Sequence, residues 1–202
     1  MRRPGAVKSL EDFGRIRLSK SFFMRDFLFS DIAAIHGLSN VPDDPALAVT
    51  AGTQLCQQLL EPLQETFGRI AIRSAYRSRE VNDFGNRNGL NCASNEANAA
   101  GHIWDMRDSD DCMGATACVV LPSFYDRFHA DGDWKRLAWW IHDHLSYSEM
   151  DFFQTYWAFN ISWNEKPVRR IHNWLEAPRV LTKPGMANHH GSHEAEWRGI
   201  VR

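Results

Sequence analysis

The sequence lacks any long apolar run and any excess of charge of one sign. No stretch of about 18 apolar residues occurs, so we expect no transmembrane helix. The 23 basic and 25 acidic side chains give a net charge of −2. A general binder of nucleic acid or of an anionic membrane surface needs a positive excess, so neither class is expected.

The N-terminal segment also lacks the apolar core of a secretory signal peptide. Arg2, Arg3 and Lys8 make it basic, and Glu11 and Asp12 interrupt its apolar residues. We therefore expect a cytoplasmic protein, or one that is released by lysis.

Cysteine pairs with metal-binding spacing are missing as well. The four cysteines, Cys56, Cys92, Cys112 and Cys118, form no CxxC pair and no zinc-ribbon pattern. We expect reduced thiols. The sequence leaves open a bridge from Cys112 to Cys92 or to Cys118.

What the sequence does contain is enough apolar material for one domain. The chain has 202 residues, of which 44% are apolar, which is ordinary for a globular protein. We predict an N-terminal arm over residues 1–20, one domain over 21–178, and an irregular, solvated tail over 179–202.

The periodicity of apolar residues predicts an α+β fold. Leu55, Leu59 and Leu63 recur at helical spacing inside a long helix over 46–66, in which Pro62 should cause a kink. A second amphipathic helix is predicted over 134–145. Alternating segments predict a small antiparallel sheet with flanking helices. Its strands are placed at 69–73, 101–106, 116–121, 148–154, 156–163 and 168–174.

Four short motifs, in order along the chain, resemble a known family. They are Phe27-Leu28-Phe29-Ser30-Asp31-Ile32-Ala33, Asn40-Val41-Pro42, Leu60-Glu61-Pro62-Leu63, and Ile72-Arg73-Ser74-Ala75-Tyr76-Arg77-Ser78 with Val81-Asn82. Together they are similar to the D-alanyl-D-alanine carboxypeptidase family of zinc peptidases, over roughly residues 22–165. The resemblance implies the hedgehog-type fold of the DD-peptidases.

The resemblance breaks at the metal motif, which in the family reads Ser-x-His-x-x-Gly-x-Ala-x-Asp. With Gly101 and Asp105 aligned, the first metal histidine falls on Asn98. In the later strand, the second histidine falls on Asn160 and the catalytic glutamate on Trp157. A carboxamide is a poor zinc ligand beside imidazole or carboxylate. A different register of that strand would bring in another carboxylate, from Glu149, Asp151 or Glu165.

The candidate site residues follow from this alignment. Asp105, Arg77 and His102 are the catalytic candidates, and Asp105 and His102 are also the metal candidates. Arginine suits a carboxylate because its planar fork donates two parallel hydrogen bonds. A carboxamide offers both a donor and an acceptor, which suits recognition of a peptide backbone. The ligand-binding candidates are Tyr76, Asn98, Asn160 and Trp157. The cofactor stays open, zinc being the metal that the resemblance implies.

Three functions are consistent with this pattern. The first is a divergent carboxypeptidase-like domain without the standard zinc peptidase activity, which binds a peptide or a peptidoglycan-like ligand. The second is an active metal-dependent peptidase or hydrolase with a rearranged metal site around Asp105. The third is a phage-related structural or assembly component. The sequence does not decide whether the protein is an enzyme.

Overall fold

A computed structural model describes residues 1–201, and it contains one six-stranded sheet flanked by helices. The strands are β1 (Ala71–Ser74), β2 (Gly114–Val120), β3 (Glu149–Phe152), β4 (Phe159–Asn164), β5 (Arg170–Asn173) and β6 (Val180–Thr182). The helices are α1 (Val7–Gly14), α2 (Asp31–His36), α3 (Pro45–Leu55), α4 (Glu61–Phe67), α5 (Arg79–Arg87), α6 (Pro122–Phe128), α7 (Lys135–His144) and α8 (Glu194–Trp197). The α+β prediction is confirmed.

The sequence predicts a purely antiparallel sheet, and this prediction is wrong because the sheet is mixed. Its strand order is β1-β2-β4-β3-β5-β6, and β3 and β5 run parallel. The reason is topological. Both edges of β4 are occupied by β2 and β3, so β5 pairs with the free edge of β3. β4 runs antiparallel to β3, and the chain reverses again before β5, so β5 runs in the same direction as β3.

The predicted long helix is confirmed, with a π-helical segment at its centre. Residues 56–60 (Cys56–Leu60) form this segment between α3 and α4, and Pro62 lies in the first turn of α4. Proline has no N–H to donate and clashes with the carbonyl four residues earlier, and a wider turn relieves both problems. Asp44 caps the start of α3 by accepting hydrogen bonds from the backbone of Ala46 and Leu47.

Three local predictions were wrong. Residues 101–106 form turns, with one isolated bridge between Ala99 and Ile103, because Ile103 and Trp104 are apolar for burial in the core and not for strand pairing. Part of the arm is α1, which buries Phe13. The tail forms β6 and α8, and its His189 is buried rather than solvated.

The two faces of the sheet have different characters, and this difference positions the cleft described below. On β4, Phe159, Ile161 and Trp163 are buried in the main core. α3 packs against β2 and β4. The alternate β4 side chains are polar and only half-buried, namely Asn160, Ser162 and Asn164. No helix within residues 1–201 is long and apolar enough to cross a membrane.

Candidate ligand-binding cleft

A polar cleft of about 390 Å³ lies over the solvent-side face of the sheet. Its walls are the loops 97–102 and 108–110, and its floor is formed by β2, β3 and β4. Among its lining side chains are Asn98, His102, Thr116, Glu149, Asp151, Asn160 and Ser162.

Strand register brings the floor residues into a row. Asn160 on β4 lies opposite Cys118 on β2 and opposite Asp151 on β3. Asp151 in turn lies beside His172 on β5. Residues in register on neighbouring strands project to the same face with their Cβ atoms about 5 Å apart. The row therefore places an amide, a carboxylate and an imidazole side by side.

His102 is part of the cleft wall, and its imidazole has one defined tautomer. The ring is only 7% exposed, and its Nδ1 lies 2.6 Å from the carbonyl oxygen of Ala75. Since a carbonyl can only accept, Nδ1 carries the proton and Nε2 keeps its lone pair. Burial, and then the positive charge of Arg77, lower the pKa of His102 from 6.5 to about 4. The imidazole is therefore neutral at neutral pH.

Asn98 holds the loop that carries His102. Its Oδ1 accepts a hydrogen bond from the His102 backbone N–H at 3.2 Å, and its Nδ2 donates to Asn82 at 2.6 Å. Gly101 is needed within this turn, because a Cβ there would lie 2.9 Å from the Asn98 Oδ1. On the other side, the Asn160 side chain lies beside the His102 ring. Asn98 and Asn160, far apart in the sequence, thus meet at one histidine.

Two carboxylates occupy the β3 part of the floor. Glu149 pairs with Arg170 at 2.7 Å, and Asp151 lies 3.4 Å from the His172 Nδ1. Burial raises the pKa of both acids, more than the neighbouring cations lower it. These were the residues that an uncertain strand register left open, and the alternation Glu149-Met150-Asp151-Phe152 is the sequence signal that fixes their face.

Asp105 lies outside the lining of the cleft. Its side chain is 2% exposed and accepts three hydrogen bonds, from the Tyr76 hydroxyl at 3.1 Å and from the backbone N–H groups of Asp43 at 2.7 Å and Asp44 at 3.2 Å. These bonds fasten the start of α3 to the loop before β2. The catalytic and metal assignments of Asp105 stay predictions, and its contacts are those of a structural residue.

The remaining predicted site residues are also outside the lining. Tyr76 is fully buried against Asp105 and Trp104. Arg77 donates its backbone N–H to the His102 carbonyl, and its side chain reaches the Cys92 sulfur at 3.2 Å. Trp157 packs against Tyr125 at the far end of β4. The structure thus brings together Asn98, His102 and Asn160 from the predicted set.

The residues present do not fit the zinc centre that the resemblance implies. Two aligned positions carry carboxamides, and the third, Asp105, has its oxygens engaged by three donors. Within residues 1–201, no group of three or more His, Cys, Asp or Glu side chains is arranged to hold a metal ion. Comparisons with protein-family models, with curated proteins and with solved structures find no match.

Proposed function

We propose that this domain binds a peptide or a peptidoglycan-like ligand in the polar cleft, without the zinc chemistry of the carboxypeptidases that it resembles. One observation carries the proposal. Asn98 and Asn160, which align with the two metal histidines of that family, both contact His102 at the same cleft. A convergence of these two positions is what a shared, hedgehog-type fold would produce.

The chemistry of the cleft suits a peptide. Its centre offers an amide at Asn160, a carboxylate at Asp151 and a hydroxyl pair, Thr116 and Ser162, whose oxygens lie 2.7 Å apart. Peptide groups present one donor and one acceptor each, and such mixed donors and acceptors match them.

A rearranged metal site around Asp105 is the rival function. To bind a metal there, Asp105 would have to release the Tyr76 hydroxyl or the two backbone N–H groups at the start of α3. Leaving buried donors without partners costs about 1–3 kcal/mol for each group. This cost favours a structural role for Asp105 and a ligand site elsewhere.

Titration of the pure protein with a synthetic stem pentapeptide, L-Ala-D-Glu-L-Lys-D-Ala-D-Ala, tests the proposal. By isothermal calorimetry we expect saturable binding that Asn160→Ala weakens at least fivefold. Asn88→Ala, at an exposed amide outside the cleft lining, is the matched control and should bind as the wild type does.

Elemental mass spectrometry of the natively purified protein separates the rival function. The proposal expects neither a stoichiometric transition metal nor cleavage of the pentapeptide. About one metal ion per chain that is lost in Asp105→Ala, together with peptide hydrolysis, would overturn it. So would a pentapeptide that fails to bind at all.

A further inference from the structure

The cleft contains one carboxylate whose hydrogen-bonding capacity the protein leaves largely unused. Four carboxylates line the cleft: Asp108, Asp110, Glu149 and Asp151. Asp110 pairs with Lys166 and Glu149 with Arg170. Asp108 accepts hydrogen bonds from the backbone of Asp110 and Cys112 and from the Asn164 amide. Asp151 is the one of the four that has neither a lysine or arginine partner nor a hydrogen-bond donor within residues 1–201, so it keeps the most capacity to accept from a ligand.

The surroundings of Asp151 supply little compensation for its charge. Within ion-pair distance Asp151 has the His172 ring, at 3.4 Å, whose Nδ1 makes no hydrogen bond, and the nearby Arg170 is paired with Glu149. His102, across the row, is neutral at neutral pH. Burial raises the pKa of Asp151, which is expected for a carboxylate that lacks donors. A ligand that brings a positive charge would remove this deficit.

The Asn160 amide lies beside Asp151, in register on the neighbouring strand β4. Its side chain also lies beside the His102 ring, whose Nδ1 donates to the Ala75 carbonyl. An amide offers a ligand held at Asp151 both a donor and an acceptor.

We propose that Asp151 binds a primary ammonium group of the ligand, with the Asn160 amide beside it. The inference rests on the proposed function and names the part of a peptide that this end of the cleft recognises. An ammonium has three donors and a positive charge, and a carboxylate with free acceptor sites suits both. A free carboxylate terminus is excluded from this position by repulsion from Asp151.

The stem pentapeptide has two amines, and selective acetylation tests them separately. Four forms are titrated into the wild-type protein by calorimetry: unmodified, Nα-acetylated, Nε-acetylated at lysine, and acetylated at both. Loss of a charge-assisted hydrogen bond typically weakens binding by about tenfold or more. We expect that loss on acetylation of one amine, and the sensitive form identifies whether a peptide terminus or a lysine-type side chain is bound.

Asp151→Asn tests the protein side of the contact with almost no change in shape. It should weaken binding of the unmodified pentapeptide about tenfold and bring all four forms to similar affinity. Asp126→Asn makes the same change on the exposed surface of α6 and should leave the preference for the free amine intact. Melting temperatures of both variants check that they are folded.

The outcomes separate this inference from the function on which it rests. If the doubly acetylated pentapeptide binds as tightly as the unmodified one, the ammonium site is refuted and peptide binding stands. A preference for free amine that survives in folded Asp151→Asn also refutes the site. If none of the four forms binds, the proposed function itself fails.

Discussion

Asp105 is buried and Asp151 is half-buried, and the hydrogen bonds that the fold offers them are opposite. Asp105 accepts from one hydroxyl and two backbone N–H groups, and it links Tyr76 to the start of α3. Asp151 lies on the floor of a cleft, and the His172 Nδ1 lies 3.4 Å from its carboxylate. The difference teaches that burial and residue type do not identify a binding residue. The number of hydrogen bonds that the fold leaves unmade is the more informative quantity.

Replacement of each aspartate by asparagine tests whether the two residues differ in their contribution to stability. Asp105→Asn replaces an acceptor with an NH₂ group that faces buried donors, and we expect a loss of about 3 kcal/mol in the free energy of unfolding. Asp151→Asn removes a partly desolvated charge and should change the free energy of unfolding by less than about 1 kcal/mol. Urea denaturation at neutral pH measures both. Equal losses in the two variants would contradict the distinction.

The acid sensitivity of the folded protein gives a further test through His102, which lies between the cleft and Asp105. Its pKa in the folded protein is about 4, below the ordinary 6.5, so the unfolded chain takes up the proton first as the pH falls. The contribution of the neutral His102 imidazole to the free energy of unfolding is complete above pH 6.5 and is lost between about pH 6.5 and 4. It amounts to on the order of 3 kcal/mol. Denaturation curves across this pH range should show the loss, and His102→Gln should reduce it. An unchanged slope in that variant would assign the acid sensitivity to other groups.

A third aspartate extends the comparison to the C-terminal segment. Asp143 on α7 accepts from the His193 backbone N–H, from the His193 ring and from the Trp197 indole, each at 2.7 Å. As a saturated aspartate it should behave like Asp105 on a smaller scale, because its side chain is partly exposed.

Asp143→Ala should therefore lower the free energy of unfolding by about 2 kcal/mol and expose the segment after β6 to proteases. Limited proteolysis followed by mass spectrometry locates the cleavage. The exposed Asp126→Ala is the control. Unchanged resistance of the segment in Asp143→Ala would show that other contacts, such as the stacking of His193 on Trp139, hold it.

Much of the local structure could be predicted, and the errors have a common cause. Helical spacing of leucines gave the long helix before β1, and alternation gave β3, β4 and β5. The segment around Trp104 was misread as a strand because an apolar run has the same appearance whether it pairs or simply fills a core. The C-terminal segment has no periodicity because its buried histidines pack against α7 individually.

For the cleft, the resemblance selected Asn98, His102 and Asn160, and the structure brings these three together. It could not show that Asp105 faces away from them, or that Asp151 faces toward them. The position of Asp105 depends on how its loop packs against Tyr76 and the start of α3, and the neighbours of Asp151 depend on the pairing of β5 with β3. Sequence spacing does not encode such long-range pairings.

The sequence by itself determined the α+β class, the main helices and the faces of the central strands. Those features depend on repeats of two to four residues, which backbone geometry imposes locally. Only the tertiary structure decided which polar side chains have their hydrogen bonds satisfied within the fold and which keep free acceptors or donors. That outcome depends on groups distant in the chain, whose approach is set by sheet order and loop packing.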